Sequence, residues 1–170
     1  MDTILVNQLP VRTWNRLGVN ETALPWDQAA SRELEQTHIA AKAGGQETVR
    51  LSVQGEGEYS EKSVVVDAAE GSSVTVYEDL RSRQHLLVRT QMKVGPGAKV
   101  RLVQLLGTEQ DAVLRNEVSG TCQQEGSVEL LQVLLGRGDV YTDSRFVLKG
   151  DGSALTADMG YLGQARQVLD

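Results

Sequence analysis

The sequence predicts an all-β fold, a parallel β-helix with two strands per coil, preceded by a small helical segment. One alternating run occurs five times, with equivalent residues at Val49, Val74, Val100, Val128 and Leu155. Successive members of this series are 25, 26, 28 and 27 residues apart. A steady period of this length indicates coils that stack strand on strand.

A second set of alternating runs lies between the first, at residues 63–68, 85–94, 113–120 and 140–150. Each run leads into a turn that contains glycine: Gly71, Gly95 with Gly97, Gly126, or Gly150 with Gly152. Glycine suits a tight corner because it adopts positive φ without a steric clash. Alternation directs one face of each strand into the coil. An antiparallel sandwich is the alternative, but that fold does not require a constant period.

Residues 1–45 differ in composition from the remainder of the chain. Asp27 is a favourable N-cap, the segment after it is rich in Ala, Glu and Leu, and Gly44 and Gly45 provide a stop. We therefore predict a helix over 28–43. The predicted organisation is an extended or helical N-terminal segment, 1–45, and a parallel β-helix, 46–170, whose last coil is incomplete.

Composition excludes several classes of protein. The 170 residues carry a net charge of −6, with a pI near 5.0, which argues against binding to nucleic acid or to an anionic membrane. No run reaches the roughly 18 apolar residues of a membrane span. The start, MDTILVNQLPVRTW, lacks the features of a signal peptide, and one cysteine fits a reducing compartment. We predict a soluble, cytoplasmic protein.

Few side chains are candidates for metal or sulfur chemistry. Cys122 is the one thiol, and a thiolate can carry sulfur or bind iron. It lacks a second cysteine at cluster spacing, so it is a weak candidate and a structural role is favoured. His38 and His85 have no partner at a trusted ligand spacing, and we expect both to lie on the surface. The predicted set of metal and cofactor residues is therefore empty.

Enzymatic and nucleotide-binding functions also find little support. The carboxylates considered for sugar cleavage are Asp139, Asp143, Asp151 and Asp158. We expect them to be solvated, because the chain is poor in the aromatic residues that line sugar grooves. GPGAK and GDGSA do not match a phosphate-binding loop, and GRGD at 136–139 is interpreted as a turn. The sequence predicts that the protein is not an enzyme.

A cluster of four basic residues lies in the middle of the chain: Arg81, Arg83, Arg89 and Lys93. No aromatic residues are interleaved with them, so they are a weak signal for nucleic-acid binding. A solvated loop that faces an acidic partner fits them equally well.

Three segments carry a resemblance to a known family: LPVRTWNRLGVNETAL, LRNEVSG and, above all, DSRFVLKGDGSALTADMGYLGQARQVLD. They resemble the SufB/SufD family, and its SufD branch in particular, from about residue 5 to Asp170. The resemblance implies a right-handed parallel β-helix in the SufBCD scaffold that builds iron–sulfur clusters. It also implies a non-catalytic subunit with SufB-like and SufC-like partners, in which the wider complex handles the cluster and ATP and this chain holds no cofactor.

The chain departs from this family at its C-terminus. In the family the β-helix continues and is followed by a helical region that recruits the SufC ATPase, whereas this sequence stops within a coil. We therefore expect a truncated form that lacks the C-terminal half. It is expected to bind the SufB-like and SufC-like partners or to self-associate through β-helix edges. The alternative is a free-standing β-helical interaction module unrelated to cluster assembly.

Overall fold

A computed structural model describes residues 2–8, 21–27, 30–164 and 166–170. These residues form thirteen strands, and no helix occurs among them. Most of LPVRTWNRLGVNETAL lies outside the described residues. No helix in the described ranges is long and apolar enough to cross a bilayer.

Two parallel sheets form the body of the molecule. Sheet 1 contains, from edge to edge, β5 (Gln46–Gln54), β7 (Ser73–Ser82), β9 (Lys99–Thr108), β11 (Ser127–Gly136) and β13 (Ala154–Tyr161). Sheet 2 contains β6 (Tyr59–Ala68), β8 (His85–Val94), β10 (Val113–Cys122) and β12 (Asp139–Leu148). Strands β3 (Ser31–Glu33) and β4 (Thr37–Ala41) both pair with β6 at the edge of sheet 2. Because the chain alternates between the sheets, it winds as a parallel β-helix, which confirms the predicted fold.

The helix predicted over 28–43 is wrong. Residues 28 and 29 lie outside the described part of the chain, and the residues after them form β3, β4 and the turn at 43–44. The Asp27 carboxylate does accept a hydrogen bond from the Ala30 amide at 3.2 Å. However, Ile39 and Ala41 alternate with exposed residues and are buried in the interior between the two sheets. Pairing with β6 therefore outweighs the helical propensity of the segment.

The predicted repeat agrees with the observed register except in its first member. Val74, Val100, Val128 and Leu155 occupy one row across sheet 1. Val49 instead pairs with Val76, and Val74 lies opposite Glu47. The prediction was off by two residues because a shift of two preserves the inward face of an alternating strand.

Two clusters of apolar side chains fill the interior of the coils, one near each end of the strands. Inward-facing side chains such as Val76, Leu102 and Leu130 pack in one cluster, and Leu80, Leu106 and Leu134 pack in a second. Each fully buried aliphatic side chain of this kind contributes roughly 1.5–3 kcal/mol. The hydrophobic effect thus holds neighbouring coils together along two interior columns.

An antiparallel hairpin covers part of the outer face of sheet 2. It consists of β1 (Asp2–Val6) and β2 (Thr22–Trp26). Trp26 is fully buried and packs with Tyr59, Leu87 and Tyr141 of sheet 2. The described residues of the N-terminal segment therefore contribute an antiparallel strand pair and two edge strands to the body.

The other end of the β-helix exposes its interior face. The inward row of β13 includes Leu155, Met159 and Tyr161, which are 38%, 51% and 71% exposed. Beyond β13 the chain returns to sheet 2, where Leu169 forms a parallel bridge with Val140 and packs against the interior. We call the exposed surface of β13 the open end.

Candidate functional site

A row of polar side chains crosses the interior between the two apolar columns. Glu78, Gln104 and Gln132 occupy adjacent inward positions on β7, β9 and β11. Thr90 and Asn116 face them from sheet 2, and all five side chains are buried. We call these five residues the interior polar row. In the same register the row is flanked by Leu51 on β5 and by Met159 on β13.

Hydrogen bonds connect the interior polar row across three coils. Gln104 Nε2 donates to Glu78 Oε2 at 2.6 Å, and Thr90 Oγ1 lies 3.2 Å from Glu78 Oε1. Gln104 Oε1 accepts from Asn116 Nδ2 at 2.7 Å and from Gln132 Nε2 at 2.8 Å. Buried polar groups need such partners. Gln104 thus joins β7, β10 and β11 and fixes their relative register.

Burial controls the charge of Glu78. It raises the pKa of this carboxyl group, and the hydrogen bonds from Gln104 and Thr90 oppose the shift. No cation is among its hydrogen-bond partners. Burial therefore disfavours the charged form of Glu78, and in the protonated form its hydroxyl group can donate to Thr90 Oγ1.

A cleft of about 530 Å³ lies between the N-terminal hairpin and the outer face of sheet 2. Charged side chains of both signs lie at its floor. Arg89 Nη1 lies 2.7 Å from Glu61 Oε2, and Arg89 Nε lies 3.0 Å from Glu117 Oε2. Arg115 also contacts Glu117, at 2.6 Å, and its guanidinium group lies 5.0 Å from the centre of the Trp26 ring. Burial lowers the pKa of Arg115. These arginine side chains on the cleft floor thus form ion pairs with neighbouring carboxylates of the same sheet.

Cys122 lies at the end of β10, fully buried in the apolar interior. Burial raises the pKa of its thiol, which disfavours the thiolate that sulfur or metal chemistry needs. Among the residues that the structure describes, no group of three or more His, Cys, Asp or Glu side chains is placed to hold a metal ion. At this position Cys122 packs with the aliphatic side chains of the interior.

The two histidines have different environments. His38 is exposed, as expected, and its Nε2 lies 2.6 Å from Asp67 Oδ2. His85 is not a surface residue: it is half-buried and stacks on Tyr59, with ring centroids 4.3 Å apart. Its ring is also nearly perpendicular to that of Trp26, with ring centroids 5.6 Å apart. His85 is thus part of the contact between the hairpin and sheet 2.

The four carboxylates considered for catalysis do not share a cleft. Asp143 lines the cleft beside the hairpin and pairs with Arg145 at 2.6 Å. Asp139 accepts a hydrogen bond from the Val168 amide, Asp151 lies in a corner turn, and Asp158 lies on β13 of sheet 1. This arrangement does not provide the pair of carboxylates that glycoside cleavage requires.

The glycine motifs are corners. GPGAK leads into β9 and GDGSA into β13, so neither precedes a helix. GRGD joins β11 to β12, with Gly136 at φ +128°.

The basic cluster is neutralised within the chain. Arg81 pairs with Asp79 at 2.6 Å, Arg83 with Glu109 at 3.2 Å, and Lys93 with Asp67 at 3.9 Å, while Arg89 makes the pairs on the cleft floor. Each of the four basic residues thus lies within ion-pair distance of a carboxylate of the same chain.

Sequence reasoning missed the interior polar row, although a signal was present. In VTVYEDL the inward phase is Val74, Val76, Glu78 and Leu80. Gln104 and Gln132 break the apolar phase at the same point in the next two coils. A polar residue that recurs in phase with the repeat predicts a buried polar row.

One comparison with known proteins gives a match. The family model for "SUF system FeS cluster assembly, SufBD core domain" matches residues 50–170, more than two thirds of the chain. The matched region begins within β5 and includes all the later coils. No curated protein and no solved structure matches the chain.

Proposed function

The chain belongs to the family of the SufBD core domain, and from this premise we propose that it is a non-catalytic, SufD-like scaffold subunit in iron–sulfur cluster assembly. The observation that carries the proposal is the match over residues 50–170, which coincides with the coils of the β-helix. We further propose that it acts in the cytoplasm and that it associates with a SufB-like protein and a SufC-like ATPase.

The arrangement of reactive groups supports a scaffold role. The Cys122 thiol is buried, and Glu78 is enclosed by neutral amide and hydroxyl groups. The arginines on the cleft floor contact carboxylates of the same sheet. These contacts favour a rigid β-helix whose surfaces bind other proteins, with the cluster and ATP handled elsewhere in the complex.

Co-purification tests the proposed partnership. The 170-residue chain, carrying an affinity tag, is co-expressed with the SufB-type and SufC-type proteins of the same genome, first singly and then together. We expect the SufB-type protein to be retained with the chain in a defined ratio, and the SufC-type protein to be retained when all three are present.

One variant tests whether the thiol contributes to partner binding. Cys122→Ala, which removes the thiol from the interior, is expected to retain the same partners in the same ratio. If neither Suf protein is retained with a folded chain, the scaffold role is wrong and a free-standing interaction module becomes the better account.

A further inference from the structure

Strand β5 forms an edge of sheet 1 that lacks the usual protection against pairing with another strand. It pairs with β7 along its whole length, and no described strand lies on its other side. Its nine residues, QETVRLSVQ, contain no proline, no lysine and no bulge. Natural sheets usually protect their edges with short strands, proline, lysine or bulges. Sheet 2 ends in the short strands β3 and β4, so β5 is the long unprotected strand at this end.

The backbone of β5 presents unpaired hydrogen-bonding groups on its free side, which we call the β5 edge. Gly45 O accepts from the Ser73 amide at 2.9 Å, and the Gly55 amide donates to Arg81 O at 3.2 Å. In a parallel strand, residues that bond to one neighbour alternate with residues that face the other side. The odd-numbered residues of β5 therefore bond to β7. The amide and carbonyl groups of its even-numbered residues face the free edge, where no described residue bonds to them.

The side chains of β5 offer two apolar groups and one cation to a strand added at this edge. Val49 and Leu51 point towards the interior and pack against its apolar cluster, but both remain only partly buried. Arg50 lies between them on the outer face, where it is exposed, and its guanidinium group is 5.0 Å from the centre of the Tyr77 ring. Within the described residues, Arg50 forms no ion pair.

We propose that the β5 edge binds an extended segment of another protein, in which one acidic residue stands between two apolar residues. The backbone of this segment completes the hydrogen bonds of β5, as in other cases where a peptide adds a strand to a sheet. Its apolar side chains cover Val49 and Leu51, and its carboxylate faces Arg50 as a cross-strand pair. The pattern apolar, acidic, apolar is the same in both chain directions, so it fits parallel and antiparallel pairing alike.

A second copy of β5 fits this edge less well than an acidic segment does. Two paired copies would continue one sheet, so the outward residues of one copy would meet the outward residues of the other. These residues are Gln46, Thr48, Arg50, Ser52 and Gln54, and none of them supplies a carboxylate. Self-pairing leaves the charge of Arg50 uncompensated, whereas an acidic partner neutralises it. This inference does not depend on the proposed role in cluster assembly.

Binding of a synthetic peptide to the 170-residue chain tests the proposal. The probe is Ser-Thr-Val-Glu-Val-Thr-Ser, with both ends blocked and a fluorescent label attached through a linker. Its order of residues reads the same in both directions. Fluorescence anisotropy is expected to show saturable binding with a dissociation constant below about 1 mM. Lysine in place of the glutamate is expected to weaken binding about fivefold or more. A peptide methylated at every internal backbone nitrogen cannot donate to β5 and is expected not to bind.

Substitutions in the chain locate the site. Arg50→Glu is expected to weaken binding of the glutamate peptide about fivefold or more and to reverse the preference in favour of the lysine peptide. Lys99→Glu is the matched control, because Lys99 is another exposed cation without an ion pair, on β9 of the same sheet. It is expected to leave binding unchanged. Thr48→Pro removes an amide that faces the free edge, a position where a strand tolerates proline, and is expected to prevent binding.

Circular dichroism checks the fold of each variant. The proposal is overturned if the glutamate peptide shows no saturable binding, if the methylated peptide binds equally well, or if Arg50→Glu has no more effect than Lys99→Glu. Sedimentation velocity distinguishes the other occupant. An oligomer of the unaltered chain that Thr48→Pro dissociates would place a second copy on the β5 edge and would also overturn the proposal.

Discussion

Glu78 illustrates how a single buried carboxyl group links pH to the stability of the coils. Because burial raises its pKa in the folded state, the folded chain releases this proton at a higher pH than the unfolded chain does. The stabilising contribution of the protonated group is complete below the unfolded pKa. It is lost as pH rises from that value through the higher folded pKa.

Glu78→Gln is therefore expected to stabilise the protein at pH 8. An amide reproduces the neutral acid: its oxygen accepts from Gln104, and its NH₂ group donates to Thr90 Oγ1. The expected gain in the free energy of unfolding is of the order of a few kcal/mol, because the amide avoids the desolvation penalty of a buried carboxylate. Urea denaturation from pH 4 to pH 8 measures this gain in the free energy of unfolding. Gln132→Glu adds a carboxyl group to the interior polar row and is therefore the control with the opposite expected effect. A gain that is equal at every pH contradicts this account.

Cys122 gives a second prediction at the residue scale. Because the thiol is buried and its pKa is raised, we expect it to react with a disulfide reagent only when the chain opens. The rate of modification is expected to follow the free energy of unfolding over a urea series. Cys122→Ala supplies the zero-thiol baseline. Rapid, complete modification of the folded protein contradicts the assignment of a structural thiol.

Residue environments were only partly predictable from the sequence. Cys122 is buried, and its structural role stays a prediction. The exposure of His85 was predicted wrongly because Tyr59 and Trp26, which cover it, lie 26 and 59 positions earlier in the chain. A contact across the hairpin and two coils leaves no local signal at position 85.

Corner turns determine how closely successive strands follow one another. At the turn between β11 and β12, a Cβ on Gly138 would lie 2.2 Å from the Ala112 carbonyl oxygen. The turn therefore passes directly against the corner of the previous coil. Thr108 Oγ1 also bonds to both the amide and the carbonyl group of Gly138.

Gly138→Ala is expected to destabilise the protein by about 2 kcal/mol or more, because the backbone it meets cannot move aside. Gly160→Ala is the matched control, since a Cβ there meets nothing within 4 Å, and a change below about 0.5 kcal/mol is expected. Thermal unfolding compares the two. Similar melting temperatures for both variants contradict the observed contact between corners.

Element prediction succeeded where the repeat was strong. The runs at 85–94 and 113–120 coincide with β8 and with most of β10, because each has neighbours of the same pattern on both sides. The segment 28–43 has no repeat of its own, so local propensity was the only guide to it. Its pairing with β6 is a tertiary preference that the local sequence does not reveal.

Stability is expected to vary along the whole molecule because each coil contacts only its neighbours. Central strands such as β8 and β9 are paired on both sides, whereas every residue of β13 is exposed. Hydrogen exchange followed by mass spectrometry is expected to show slow exchange in β8–β10 and the fastest strand exchange in β13. Uniform protection across all coils is the outcome that contradicts this nearest-neighbour organisation.

Anaerobic reconstitution with iron and sulfide tests the non-catalytic scaffold role most directly. It is carried out on the chain alone, on the SufB-type partner alone, and on the two together, with Cys122→Ala in parallel. We predict that the chain alone acquires no Cys122-dependent visible absorption of an iron–sulfur cluster, and that it increases the yield of cluster formed in the mixture. A cluster on the chain alone that disappears in Cys122→Ala, or a mixture no better than the partner alone, would contradict the account.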